Sequence, residues 1–213
     1  MNREIFTIGH SNHSIEKFVD LLKLNKIQVV ADVRSAPYSK LYPQFNKSQL
    51  QESLKQQGIL YVYLGNELGA RSQDPSCYMN GKVQFGLLAK TKLFKSGLVR
   101  AEEGALKYKV ALMCSEKDPL ECHRNILVAH ELVKRGSRIS HILADGTIEA
   151  YEETTKRLLD TFDLKLDDMF RTNEEIIEEA YSRQSERIAF VAEELYGGTW
   201  PINDGLPITG ATE

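Results

Sequence analysis

Leu112-Met113-Cys114-Ser115-Glu116-Lys117-Asp118-Pro119-Leu120-Glu121-Cys122-His123-Arg124 joins two kinds of structure within thirteen positions. An apolar run over residues 109–113 reads as a strand and stops at Cys114. A loop carrying Pro119 follows, and a helical pattern begins around Cys122-His123-Arg124 and runs to Arg135, where Gly136 caps it. The next apolar run, residues 139–143, ends at Ala144-Asp145-Gly146. Strand, helix, strand within some thirty residues is the signature of a parallel crossover unit.

The same alternation extends toward the N-terminus. Residues 4–8 read as a strand that stops at Gly9-His10-Ser11, and Ser14 then caps a helix with Ile15, Phe18, Val19 and Leu22 on one face. Residues 28–33 form a second apolar run ending at Asp32-Val33-Arg34. Pro37 and Pro43 make 35–45 a loop, 47–57 is helical up to Gly58, and 60–64 is a third strand before Gly65-Asn66-Glu67-Leu68-Gly69. A polar loop reaches the turn signal Asn80-Gly81, and 83–106 reads as one or two helices broken near Gly97. Residues 1–150 are therefore expected to form an α/β domain with an open, Rossmann-like, mainly parallel five-stranded sheet and helices on both faces.

Residues 151–213 differ in character. Tyr151 begins a short helix ending at Phe162, and Thr172-Asn173-Glu174-Glu175 has the capping-box form. Behind it Ile176, Ile177, Ala180, Tyr181, Ile188, Ala192 and Leu195 form the stripe of a long helix ending at Gly197-Gly198, with the last 15 residues loop-like. This acidic helical extension is expected to pack on the body or to join two copies as a homodimer. Charge divides in the same place. Residues 1–150 hold 21 basic against 15 acidic residues, a net +6, whereas 151–213 hold 6 against 15, a net −9. The overall −3 thus hides a basic body.

Several classes are excluded. Glu4 interrupts the start where a signal peptide builds its apolar stretch, and no run approaches the roughly 18 apolar residues of a membrane helix. Three cysteines, Cys77, Cys114 and Cys122, are too few for a secreted disulfide framework, so a cytoplasmic protein with reduced thiols and no membrane partner is expected. No G-x-G-x-x-G follows a strand and no Walker A sequence is present, so no cofactor is assigned. Rhodaneses and cysteine phosphatases need arginine at the sixth position after the nucleophile, where Leu120 and Val128 stand instead.

Unusual polar residues cluster at the carboxyl ends of the strands, where open parallel sheets bind ligands. His10 and Ser11 follow the first, Asp32 and Arg34 the second, and Gly65, Glu67 and Gly69 the third. Cys114, Glu116, Cys122, His123 and Arg124 follow the fourth. Asp32–Arg34 is either a structural ion pair or an anion clamp; Gly65 and Gly69 serve turn geometry or ligand approach. Glu67, His10, Cys114 and Glu116 are the candidate catalytic groups, and Ser11, Asp32, Arg34, Gly65, Gly69, Cys122, His123 and Arg124 the candidate ligand-binding ones. A helix starting at Cys122 offers free N–H groups to an anion and favours a thiolate. Cys122 and His123 are adjacent, awkward for one metal, so no metal is assigned; a Cys114/Cys122/His123 site completed by His10 is the metal alternative. His130 and His141 fall on or beside apolar faces, and Cys77 in a polar loop is incidental.

Thr7-Ile8-Gly9-His10-Ser11, Asp32-Val33-Arg34-Ser35 with Pro37 and Ser39, Leu64-Gly65 with Glu67-Leu68-Gly69, and Cys114-x-Glu116 leading to Cys122-His123-Arg124 together resemble the DUF488 family of unknown function, over about residues 4–150. The resemblance implies a parallel α/β fold, a pocket shared by those motifs and a prokaryotic protein, with no assigned activity. The expected function is an enzyme binding a phosphorylated or nucleotide-like anion at the sheet edge. One alternative is a nucleic-acid-associated module using Lys82, Lys90, Lys92, Lys95 and Arg100 with Phe85 and Phe94 interleaved. The other is a thiol redox or metal-binding protein using Cys114 and Cys122.

Overall fold

A computed structural model describes residues 3–192. Six strands form one sheet: β1 (Glu4–Gly9), β2 (Val29–Asp32), β3 (Leu60–Tyr63), β6 (Val110–Cys114), β7 (Arg138–Ile142) and β8 (Ile148–Ala150). Their order is β3-β2-β6-β1-β7-β8, parallel throughout except for β8, which pairs antiparallel with β7. The α/β class and mainly parallel sheet agree with expectation; the strand count is six instead of five. The additional strand is short and turns back at Asp145-Gly146-Thr147, where Asp145 accepts from the Thr147 N–H at 2.9 Å. Between them, β4 (Tyr78–Met79) and β5 (Lys82–Val83) make a separate hairpin, with Asn80 and Gly81 both at positive φ in its turn.

Side chains alternate between two cores. On one face Phe6, Ile8, Val30, Ala111, Met113 and Ile142 meet α1 (Ile15–Leu24) and α2 (Lys47–Gln56). Ser14 caps α1, accepting from the Lys17 N–H at 3.2 Å. On the other face Ile5, Val29, Ala31, Val110, Leu112 and Ile139 meet α5 (Lys92–Ala105) and the helices that follow it. α3 (Gly65–Leu68) and α4 (Phe85–Leu88) are single turns. The break expected near Gly97 lies instead before α5, at Thr91, whose hydroxyl caps that helix. Gly97 is a contact point inside it: a Cβ there would lie 2.6 Å from the Cβ of Glu67. A small residue mid-helix marked close packing, not a stop.

The Cys-His-Arg segment opens as a π-helix, Arg124–Ala129, and continues as α6 (His130–Lys134). All six π-helical residues are buried. π-turns are uncommon and concentrate at functional sites. α7 (Tyr151–Thr161) and α8 (Asn173–Ile188) place Leu158, Leu159, Ile176, Ala180 and Tyr181 in the core shared with β6 and the π-helix. The Thr172–Glu175 capping box forms as expected. The helix is shorter than its stripe predicts. Beyond Ile188 the backbone bonds to the β4–β5 hairpin, with the Val83 N–H on the Phe190 carbonyl at 3.0 Å and the Ala192 N–H on the Gly81 carbonyl at 2.7 Å. Sheet-like pairing thus replaces the helix at Ala192, while Leu195 and Gly197-Gly198 lie outside the described residues. Cys77, expected in a polar loop, is buried in the same core. Among the described residues no helix is long and apolar enough to cross a membrane.

Candidate functional site

β1 sends its crossover toward β2, whereas β6, its neighbour, sends its own toward β7. The carboxyl ends of β1, β2 and β6 therefore border the switch point at which open α/β sheets hold ligands. Register brings Gly9 beside Cys114 and Asp32 beside Met113. Two polar clusters meet there, one on each face.

The first is built on Asp32 and Arg34. The Arg34 guanidinium donates from Nε to Asp32 Oδ1 at 2.9 Å and from Nη2 to Oδ2 at 2.7 Å. Nη2 also reaches the Phe45 carbonyl at 2.8 Å, and Tyr61 donates its hydroxyl to Asp32 at 2.8 Å. His10 stacks on Phe45 with centroids 4.3 Å apart. Its Nδ1–H donates to the Ser11 carbonyl at 2.8 Å, so Nε2 accepts from Arg34 Nη1 at 3.2 Å. Burial, with Arg34 beside it, pushes His10 down to about 4. This is a buried, internally satisfied network. Arg34 reaches the edge of a cleft, but its charge is already matched by Asp32.

The second cluster is Cys114, Glu116, Cys122, His123 and Arg124. Cys114 Sγ and Cys122 Sγ converge on one carboxylate oxygen, Glu116 Oε2, at 3.1 and 2.8 Å. His123 Nε2–H donates to the Val33 carbonyl at 3.0 Å, which leaves Nδ1 facing Cys114 Sγ at 3.6 Å. Neighbours in sequence can converge here because Cys122 is extended (φ −137°, ψ 134°) and His123 already helical (φ −59°, ψ −23°). Arg124, 1% exposed, donates to the carbonyls of Glu116 at 2.6 Å and Lys117 at 3.1 Å. It thereby pins the loop and faces away from solvent.

Burial pushes the Cys114 thiol well above its ordinary value. Burial opposes ionisation of Cys122 too, but the hydrogen bond with Cys114 and the charge of Arg124 outweigh it and bring that thiol well below. Burial also raises Glu116, with Cys122 adding to the shift. Burial would lower His123, yet its hydrogen bond to Cys122 leaves it raised.

A cleft of about 220 Å³ opens over this cluster, lined by Cys114, Glu116, His123, Ser35, Arg71 and Phe190 among others. Arg71 was not anticipated from sequence, where it is one arginine in a polar loop. Its guanidinium lies 4.5 Å from the Phe190 ring centroid, and among the described residues no carboxylate pairs with it. Ser35 Oγ fixes its backbone, accepting from the Arg71 N–H at 2.9 Å. A second, larger cleft of about 620 Å³ adjoins through Ser35 and Arg71 and is lined by Gly65, Glu67, Gly69 and Asp74. Glu67 is ion-paired there with Arg100.

The candidate residues thus separate. Cys114, Glu116, His123 and Arg34 line the first cleft, and Gly65, Glu67 and Gly69 the second. Cys122 and Arg124 are buried behind the first, and Asp32 and His10 form the buried network. Ser11 faces a different hollow, beside His13 and Lys117. Of the proposed basic cluster, Lys82 pairs with Glu186 and Arg100 with Glu67, while Phe85 and Phe94 are buried.

An α/β protein with a cysteine–histidine–glutamate cleft at the switch point of its sheet is the class that fold and site define. The chain belongs to a family described as Domain of unknown function DUF488, whose model matches residues 14–130, more than half of the chain. That span runs from α1 into α6 and leaves the Thr7–Ser11 motif just outside it. No curated protein and no solved structure matches the chain.

Proposed function

We propose that the protein is an enzyme acting on a small anionic substrate, phosphorylated or nucleotide-like, held in the cleft between Arg71 and the Cys114–Glu116–His123 cluster. The observation that carries this reading is the placement of an arginine with no carboxylate partner among the described residues opposite three groups able to move protons or attack. Arg71 and the Ser35 hydroxyl bind the anion; the adjoining cleft with Asn66, Asp74 and Thr91 accommodates the remainder of the molecule. Cys114 and Glu116 border the reacting centre. Arg34 and Arg124 are positioning residues, because Asp32 holds the Arg34 guanidinium and the Glu116 and Lys117 carbonyls hold the two Nη groups of Arg124. A small ligand is favoured over nucleic acid because Phe85 and Phe94, the rings interleaved with the basic cluster, are in the core and not free to stack on bases.

The test is a thermal-shift series with inorganic phosphate, ribose 5-phosphate and nucleoside mono- and triphosphates on wild type, Arg71→Ala and the exposed control Lys95→Ala. At least one compound should raise the melting temperature of wild type and Lys95→Ala and leave Arg71→Ala unmoved. No shift with any of them, or equal shifts in all three proteins, overturns the reading.

A further inference from the structure

Cys114 Sγ, Cys122 Sγ and the His123 ring nitrogen lie within 4.8 Å of one another. We propose that these three side chains bind a zinc ion, with Glu116 as the fourth ligand on the side facing the cleft. The inference concerns the same cleft but does not depend on the anionic substrate.

Four observations support it. First, the donor set suits the metal: two thiolates and an imidazole are ligands zinc takes in tetrahedral sites, including those that keep one position for chemistry. Second, the spacing fits. Zinc–sulfur and zinc–nitrogen bonds of about 2.3 and 2.05 Å at a tetrahedral angle place sulfur and nitrogen about 3.6 Å apart. Cys114 Sγ and His123 Nδ1 are 3.6 Å apart. Glu116 Oε2, at 3.1 and 2.8 Å from the two sulfurs, reaches the roughly 3.6 Å sulfur–oxygen separation of a tetrahedral site by retreating about 0.5 and 0.8 Å.

Third, the imidazole is already oriented. Metal-bound histidines characteristically donate their other N–H to a carbonyl or carboxylate, which fixes the tautomer. His123 donates Nε2–H to Val33 and turns Nδ1 to the sulfurs. Fourth, the charges balance. Arg124 is buried beside the cluster, and among the described residues no ion pair includes it. Zn²⁺ with two thiolates, a neutral imidazole and a carboxylate carries −1, the charge a buried guanidinium requires.

Binding displaces to solvent the protons that the two cysteines and Glu116 still carry and forms two Zn–S, one Zn–N and one Zn–O bond, with no change of oxidation state. The adjacency of Cys122 and His123 is no obstacle, since the extended-to-helical change between them brings both side chains to one point.

The experiment uses the full chain, reduced and stripped of metal, titrated with Co²⁺ and then Zn²⁺. One Co²⁺ per chain should bind with thiolate-to-cobalt charge-transfer absorption and intense tetrahedral bands, and one Zn²⁺ should abolish both. Cys114→Ser and Cys122→Ser should lose or strongly weaken the charge-transfer band, whereas Cys77→Ser, altered away from the cluster, should keep it. Arg71→Ala should also keep it, which separates failure here from failure of the substrate proposal. Should a serine variant not fold, zinc-edge X-ray absorption on wild type decides: two sulfur and two nitrogen or oxygen neighbours support the site. A shell without sulfur, no charge-transfer band in wild type, or a band unchanged in folded Cys114→Ser overturns it.

Discussion

Replacing Gly9 by alanine would place a methyl carbon 1.9 Å from the Glu116 carbonyl oxygen and 2.9 Å from its carbonyl carbon. Carbon and oxygen do not approach closer than about 3.0 Å, so one backbone segment must retreat by at least about 1 Å. Neither is free to do so. Gly9 is held in β1 beside Cys114, and the His10 and Ser11 N–H groups bond to the carbonyls of Cys114 at 2.9 Å and Ser115 at 2.8 Å. The obstructed carbonyl also accepts from Arg124 Nη1 at 2.6 Å, and a shift of that size breaks the bond. Overpacking costs about 1–3 kcal/mol and the loss of a charge-assisted bond to a buried guanidinium about 1.5–3 kcal/mol. A destabilisation of about 2.5–6 kcal/mol follows, read from urea unfolding monitored by circular dichroism. Gly9→Ala should also lose metal affinity, because the displaced loop carries Glu116. A variant within about 0.5 kcal/mol of wild type would refute the claim that this approach locks the loop.

Gly104→Ala should have the opposite sign: it lies within α5 with its nearest prospective neighbour 3.7 Å away, so alanine gains about 0.5–1 kcal/mol, measurable as a raised urea midpoint. Glu102→Ala strips the acceptor shared by Arg135 (3.1 and 2.7 Å) and Arg3 (3.3 Å); because those arginines are partly solvated, the loss should be about 1–3 kcal/mol in the same assay. Acid should weaken the fold before most carboxylates titrate. Burial, with nearby arginines, depresses His10 to about 4 and His141 to about 3 from 6.5. Their contribution is complete above pH 6.5 and drains as pH falls from there toward the folded values, about 2 kcal/mol per histidine by pH 5. Melts at pH 7 and pH 5 should show this loss, and His141→Gln should flatten it; equal pH dependence in that variant would assign the effect elsewhere.

The parallel core was legible because every strand from 4–8 to 139–143 is an apolar run closed by a turn or cap residue. β8 was not: three residues, Ile148–Ala150, are too few to show a period, and their partner is the sheet edge. The helix stripe through Ala192 was real as a pattern but lost to backbone pairing with the β4–β5 hairpin, a tertiary competitor invisible in local periodicity. Cys114, Glu116 and His123 were legible at the cleft because the sheet edge collects them. The Asp32–Arg34 ion pair was one of two readings the spacing offered, whereas the capture of Arg124 by the 116–117 carbonyls left no mark in the sequence. Arg71 carried no signal at all, since what distinguishes it is the absence of a described counter-charge in three dimensions.

The segment after α8 has a consequence for selectivity. Ile188 and Phe190 form one wall of the first cleft, and Phe190 carries the Arg71 side chain. Both lie outside the 14–130 span that the family model matches, whereas Cys114, Glu116 and His123 lie inside it. Two chains alike over that span can therefore share a reactive floor and still admit different molecules, with the choice written in whatever each lays across the opening. In this chain, exchanging Phe190 for a small residue would widen the doorway and release the arginine without altering the chemistry below.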